Sequence, residues 1–472
     1  MLNYQVEFGK HKLNTVVVSS YEEFTSKQLS IGGIGFPTND TQEIGQAFST
    51  NSPTSFVNTY TLAGLLGRVQ YNYDERYLLS LSVRRDGSSK FGKENRYASF
   101  PSISAGWNIS EEKFFKNSSI GNTVNNLKLR ASYAQVGNQD VQAYVAATQI
   151  ETGVNYLFGP DETLASGLIQ RRYSNPGLKW ETSTSKNIGI DFAMFKNRLT
   201  FTGDIYSNDK RDMLLPFQTP PSAGTTVPNA ENTFNPIFIN AGKMTNEGIE
   251  LALGYKGQFK NDLKYNVSTT FTKNINTIVD LNGIERGYPD GRPTFSLGNS
   301  IDQTTFFAEG YEAGAFFLLK NEGVIKTDEE LAEYQLINPS ASKGDIRYAD
   351  IDNNGNIDEK DRVYAGSGQA EFESGLNIDL NYKNWDLTIQ SYLSYGAELF
   401  NGARFFAYTQ GRHLDQFYQW SPQNPDSDIP SFRNSEATES VRARSDYWLE
   451  DGTYLRIRNI TLGYTLPQDL MD

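Results

Sequence analysis

A chain of 472 residues with a formal charge of −13 and no cysteine shows no lysine and arginine cluster able to neutralise phosphates, so no nucleic acid partner is expected. Without cysteine it forms no disulfide, no thiolate metal site and no cysteine nucleophile. No apolar run reaches the roughly 18 residues that a spanning helix needs, and mean hydropathy is −0.53. A membrane β-barrel is not excluded, because its strands alternate apolar with polar residues and average out.

From the first residues, Tyr4, Val6 and Phe8 alternate with Asn3, Gln5 and Glu7, and Leu13 to Val18 follow Lys10-His11-Lys12. This period of two reads as a hairpin. No basic segment with an apolar core opens the chain, so no signal peptide is present in it. Residues 19–58, rich in Ser, Gly, Thr and Asn with Pro37 and Pro53, are expected to be a long loop. Strands are expected at Leu66 to Tyr73 and, after a turn at Asp74-Glu75, through Tyr77, Leu79, Leu81 and Val83. A loop takes Arg84 to Asn95, and Phe100 to Ile109 is again extended. Leu127, Leu129, Ala131 and Tyr133 alternate cleanly with Lys128, Arg130, Ser132 and Ala134. Residues 138–175 read as a long loop with short extended pieces.

The middle of the chain shows the repeating unit most plainly. Ile188, Ile190, Phe192 and Met194 share one face, and after Lys196-Asn197 the alternation resumes with Leu199, Phe201, Gly203 and Ile205. This is a tight hairpin. The loop from Asn208 to Thr245 carries Pro216, Pro220, Pro221, Pro228 and Pro236 and cannot be a central strand. Ile249 to Tyr255 and Tyr265 to Phe271 form the next short-turn hairpin. Residues 276–370 are the longest interruption, with one helical turn at Asp328 to Tyr334, capped by Thr327 with Glu330 three residues on. Leu376 to Tyr382 and Trp385 to Tyr395 turn at Lys383-Asn384, and 396–452 is a further loop. Along Leu455, Ile457, Ile460, Leu462, Tyr464 and Leu466 the apolar phase slips near Asn459, which indicates a β-bulge.

About 13 strands of bilayer-crossing length, short turns at one end, long loops at the other and aromatics near the strand ends fit an outer-membrane barrel. The fold class is therefore all-β, a large antiparallel transmembrane barrel, with residues 1–472 as one unit.

One motif carries explicit chemistry. Asp350, Asp352, Asn354, Asn356, Asp358 and Asp361 fall at the ligand positions of a twelve-residue calcium loop, with Gly355 at the sixth, where a tight bend is needed. Asn356 would ligate through its carbonyl. Asp361 replaces the usual bidentate glutamate, and no flanking helix is expected. The competing reading is an Asx-turn loop that folds without an ion. Weaker candidates are the His413/Asp415 pair, which lacks a nucleophile, and the glycine-rich Ile31 to Gly35, which lacks a following helix and lysine. Arg130, Arg198, Arg456 and Arg458 occupy polar strand positions. They are expected to pair with carboxylates of a watery lumen rather than to touch cargo. The loop aromatics Phe306, Phe307, Phe316, Phe317, Phe405, Phe406, Tyr408, Phe417, Tyr418 and Trp420 are read as packing.

Five segments together resemble the barrel of TonB-dependent outer-membrane transporters of the SusC/RagA-like branch. They are NPGLKWET (Asn175 to Thr182), FKNRLTFTGDIYSNDKRDML (Phe195 to Leu214), NAGKMTNEGIEL (Asn240 to Leu251), GDIRYADIDNNGNIDEKDRVYAGSG (Gly344 to Gly368) and YLRIRNITLGYTLPQDL (Tyr454 to Leu470). The resemblance implies a barrel of about 22 strands closed by a plug, import of oligosaccharides or peptides driven by TonB, and a SusD-like lipoprotein over the extracellular face. It makes this chain a central-to-late portion of such a barrel, with plug and closing strands absent, in contact with outer-membrane lipid and without enzymatic activity. The alternatives are a soluble, secreted, calcium-braced β protein that binds carbohydrate and a passive porin or adhesin barrel.

Overall fold

The computed structural model describes residues 1–467 apart from 42, 142, 153–154, 218–236, 261, 284–285, 288–303 and 434–438. Pro220, Pro221, Pro228 and Pro236 and the end of the QDL segment lie outside the described residues. A single antiparallel sheet of 13 strands dominates, and its spatial order is its chain order, an up-and-down meander without crossovers. The strands are β1 (Leu2–Phe8), β2 (His11–Ser30), β3 (Thr54–Tyr73), β4 (Tyr77–Ser88), β5 (Tyr97–Asn108), β6 (Val124–Asn138), β7 (Glu181–Met194), β8 (Leu199–Arg211), β9 (Lys243–Gln258), β10 (Lys264–Asp280), β11 (Phe372–Tyr382), β12 (Trp385–Tyr395) and β13 (Tyr454–Tyr464).

The expected asymmetry is present. At one end the connections are 9–10, 74–76, 195–198, 259–263 and 383–384; at the other they include 139–180, 212–242, 281–371 and 396–453. Asp74, Glu75, Lys196, Asn197 and Lys383 take positive φ, the backbone that tight hairpins require to match the strand twist. The connection 109–123 departs from this brevity and carries a helical turn at Lys113–Lys116.

Of residues 19–58, only 31–53 form the expected long connection. β2 and β3 run on as a two-stranded ladder whose pairing holds to Leu29↔Ser55 and Ser30↔Thr54. Ser, Gly, Thr and Asn suggest a loop, but a strand with both faces in water needs no apolar alternation once its hydrogen bonds are met. β8 likewise extends to Arg211, and β10 to Asp280, where Ile278 is buried. Near the carboxyl end the phase slip is a bulge, since pairing moves from Gln390↔Asn459 to Ser391↔Ile457 and leaves Arg458 over.

The sheet has two chemically different faces. Ile188 and Ile205 are 69% and 66% exposed, and they stand directly opposite each other in the register. The other face carries amides, hydroxyls and charges. Aromatics gather where β3–β4, β9–β10 and β12–β13 reach the short-turn end, with ring centroids 6.3 Å apart for Tyr73–Tyr77, 5.8 Å for Tyr255–Tyr265 and 4.7 Å for Trp385–Tyr464.

The dry packing lies elsewhere, in the long connections. Leu319, Ile346 and Tyr348 of the 281–371 segment pack with Tyr408, Val441 and Trp448 of the 396–453 segment. The helix Asp328–Tyr334 carries the expected capping box, Thr327 accepting from Glu330 N and Glu330 reaching back. An unexpected helix, Gly402–Thr409, is capped by Asn401 and buries Tyr408. Phe405 and Tyr408, three apart, face the shared core. That spacing is too short to stand out in a single turn or two.

Candidate functional site

Two arrangements carry chemistry, one in the long-connection lobe and one on the polar face of the sheet. In the lobe, the short strand Ile346–Tyr348 leads into Asp350, and the loop turns on Asn353 and Gly355, whose φ values are +55° and +82°. Carboxylate oxygens of Asp350, Asp352 and Asp361 lie within 4.8 Å of one another. Backbone amides hold them. Asn354 N donates to Asp350 Oδ1 and to Asp352 Oδ1, both at 3.1 Å, and Gly355 N donates to Asp350 Oδ2 at 2.8 Å. Asp361, fully buried, accepts from Ile351 N at 2.8 Å and Asp358 N at 2.7 Å.

The other expected ligands do something different. Asp358 caps a 3-10 turn, Glu359–Asp361, by accepting from Lys360 N at 2.7 Å, and its second oxygen is 3.4 Å from Asn354 Nδ2. Asn354 Oδ1 accepts from Asn356 N at 2.8 Å. The sequence therefore missed a short helical turn in the last three positions of the loop, from which the strand Arg362–Ser367 follows directly.

This loop is tied to the lobe at both ends. Ile357 packs on the shared core. The strand Arg362–Ser367 pairs with Ala315–Leu319, and Arg362 forms an ion pair with Glu359 at 2.9 Å. The two long connections are in turn joined by Asn321 N to Asp446 Oδ1 at 2.8 Å, by Lys326 to Asp428 at 2.6 Å and by Arg433 to Asp345. Burial pushes the Asp345 carboxyl above the usual range, against the pull of Arg433, and burial likewise raises Asp446.

On the sheet, Arg130 is the organising charge. It reaches Asp191 at 2.8 Å and Asp204 at 3.0 Å, the carboxylate pairing anticipated for it. Asp204 lies one strand beyond β7, and the register shows how Arg130 gets there. Gly189 stands between Arg130 and Asp204 in the cross-strand row, and a Cβ on it would come within 2.8 Å of the guanidinium and 2.5 Å of the carboxylate. A second window repeats the device. Tyr206 passes over Gly248, where a Cβ would meet its hydroxyl at 2.5 Å, and donates to Asn274 Oδ1 at 3.0 Å. Sequence reasoning missed Gly189, Gly248, Tyr206, Asn246 and Asn274; the signal was a lone glycine within a clean alternation, which marks close approach.

The remaining candidates resolve simply. Arg458 and Arg456 lie over the rings of Tyr392 and Tyr454 at 4.0 and 5.0 Å, a cation–π arrangement rather than the carboxylate pairing expected for them. His413 Nδ1 accepts from Asp415 N at 3.3 Å and caps a 3-10 turn, a structural role. Gly33–Ile34 pairs with Ser49–Thr50 as a small ladder. Phe306, Phe316 and Phe317 are buried, whereas Phe406, Phe417 and Tyr418 are exposed.

Residues 2–354 match the family model described as TonB dependent receptor-like, beta-barrel. The chain belongs to that family. TonB-dependent receptor P3 of Formosa agariphila is 30% identical over 474 residues, covering all of this chain and 45% of its own length. TonB-dependent receptor SusC of Bacteroides thetaiotaomicron is 28% identical over 424 residues, covering 87% of this chain and 38% of its own. The chain thus spans about half, or less, of the curated relatives it matches. Among solved structures, the RagAB peptide importer in its open-open state superposes with a TM-score of 0.78 at 23% identity, over the whole of this chain and 48% of the other. That likeness shows the fold, and the SusC match is a similarity to the SusC/RagA-like branch within the family. The fold is an all-β, barrel-type antiparallel wall.

Proposed function

We propose that this chain is part of the wall of an outer-membrane importer for a bulky nutrient, such as an oligosaccharide or a peptide. The observation that carries the reading is the two-faced 13-stranded wall of a TonB-dependent receptor family member. Its outward apolar face suits lipid, its polar face suits a watery lumen, and its long connections suit the extracellular side. In this reading TonB acts through a plug, and a SusD-like lipoprotein covers the extracellular lobe. The wall itself performs no catalysis. Cells carrying the full-length receptor should deplete an oligosaccharide or peptide mixture from the medium only when TonB is intact. Equal depletion without TonB contradicts the reading.

The Asp350 to Asp361 loop is proposed to hold calcium as a brace. Oxygen ligands, a positive-φ glycine at the bend and three converging carboxylates suit a hard cation. Asp350, Asp352, Asn354, Asp358 and Asp361 would supply side chains and Asn356 its carbonyl. Bound calcium neutralises carboxylates that otherwise repel. Chelation should speed proteolysis within 281–371, and Asp352→Ala should give the fast rate with or without chelator. An unchanged cleavage rate in both experiments sinks the brace.

A further inference from the structure

Asparagine is followed by glycine at three places, 282–283, 354–355 and 401–402. In such a pair the glycine amide nitrogen can attack the asparagine side-chain carbonyl, because no Cβ on the following residue stands in the way. Attack needs a side chain able to swing and a nitrogen with no other partner. The three pairs differ in both respects.

Asn354, in the Asp350 to Asp361 loop, is tied at both side-chain ends. Its Oδ1 accepts from Asn356 N at 2.8 Å, its Nδ2 donates to Asp352 Oδ2 at 3.1 Å, and Gly355 N is itself engaged by Asp350 Oδ2 at 2.8 Å. Asn401 is tied as well, its Oδ1 accepting from Arg404 N at 2.8 Å and its Nδ2 donating to Glu450 Oε1 at 2.9 Å. Asn282 is exposed, and among the described residues neither its side chain nor Gly283 N has a hydrogen-bond partner. A Cβ built on Gly283 would meet nothing within 4 Å.

The position matters because Asn282 and Gly283, with φ of +58° and +82°, turn the chain where β10 hands over to the 281–371 connection. Buried Leu281 anchors that corner. Its amide donates to Glu309 Oε1 at 2.7 Å, and the amide of Asn282 donates to Asp280 Oδ1 at 2.8 Å. A carboxylate at 282 would join two that already serve these amides.

We propose that Asn282 is a site of spontaneous deamidation and that the change loosens this corner. Gly283 N gives its proton to hydroxide and bonds to Asn282 Cγ; the Cγ–Nδ2 bond breaks, and ammonia leaves with a proton from water, which regenerates the hydroxide. Water then opens the succinimide at either carbonyl, giving aspartate or, with one more methylene in the main chain, isoaspartate. The proposal does not depend on the importer reading.

The full-length receptor in detergent is aged in warm, mildly alkaline buffer with chelator, so that hydrogen bonds alone protect Asn354, and is mapped by peptide mass spectrometry. Isoaspartate is counted by methylation with an isoaspartate methyltransferase and labelled S-adenosylmethionine. Asn282 should convert about tenfold or more faster than Asn354 and Asn401, the factor for a hydrogen bond that must break first. Asp350→Ala releases Gly355 N and should speed conversion of Asn354 by about the same factor. Without chelator, Asn282→Asp should speed proteolysis within 281–371, and adding Glu309→Gln should slow it again. Equal conversion at all three positions, no conversion at 282, a silent Asp350→Ala, unchanged cleavage in Asn282→Asp, or no slowing on adding Glu309→Gln overturns the proposal.

Discussion

The sheet and the long-connection lobe hold themselves together by opposite means. In the lobe, Trp448, Tyr408 and Ile346 are withdrawn from solvent among other apolar side chains, as in a water-soluble domain. In the sheet the large aliphatic residues point away from the protein, and the polar face is satisfied by cross-strand bonds such as Arg130–Asp191. The lobe carries its solvent-free core with it, whereas the wall, on the importer reading, takes one from lipid. Substitutions should separate the two regions cleanly.

The largest effect belongs to the lobe core. Trp448→Ala should cost about 3–5 kcal/mol, releasing 396–453 to protease while heat-modifiability of the barrel persists. Ile205→Lys, on the exposed apolar face, should cost about 2–4 kcal/mol in a bilayer, reducing the heat-modifiable fraction and leaving lobe proteolysis unchanged. Gly248→Ala should follow, at about 1–3 kcal/mol, because its Cβ would meet Lys273 O at 2.5 Å as well as the Tyr206 hydroxyl. Gly189→Ala meets only side-chain ends and should cost less, so denaturation midpoints should rank Gly248→Ala below Gly189→Ala. Thr327→Ala removes a cap worth about 1 kcal/mol, seen as faster amide exchange at 328–334.

Acid should act on the lobe with two signs. Glu330 is held below the usual carboxylate range by the amides of Lys326 and Thr327. Its stabilisation is present above the unfolded value and is lost as pH falls through the lower, folded one. Asp345, raised by burial, contributes stability below its unfolded value that is lost as pH rises through its folded one. Glu330→Gln should therefore flatten the acid limb of lobe stability, and Asp345→Asn the fall of stability toward neutral pH, both read by proteolysis rate against pH.

The wall was legible because it must alternate. Ile188 to Met194 and Leu199 to Ile205 announce a hairpin, and even the bulge at Arg458 shows as a slip in phase. Strand extensions beyond the apolar band, Tyr21 to Ser30 above all, were hidden, because backbone pairing in water leaves no hydropathy pattern. The calcium-type loop was legible because ion ligation fixes residue type and spacing, and three of its carboxylates do converge. Gly189 and Gly248 were not, because their meaning lies in side chains two strands apart in space and up to 74 residues apart in sequence, as for Arg130 and Asp204. The lobe core drew on two segments whose meeting no local pattern records.

The central claim is that adjacent residues of one strand face lipid and lumen. Because the chain has no cysteine, Asn187→Cys and Ile188→Cys can each carry a nitroxide in outer-membrane vesicles. The account predicts that relaxation at 188 is enhanced by oxygen and at 187 by a water-soluble nickel chelate. Equal accessibility of both positions to the chelate, or the reverse order, would contradict it.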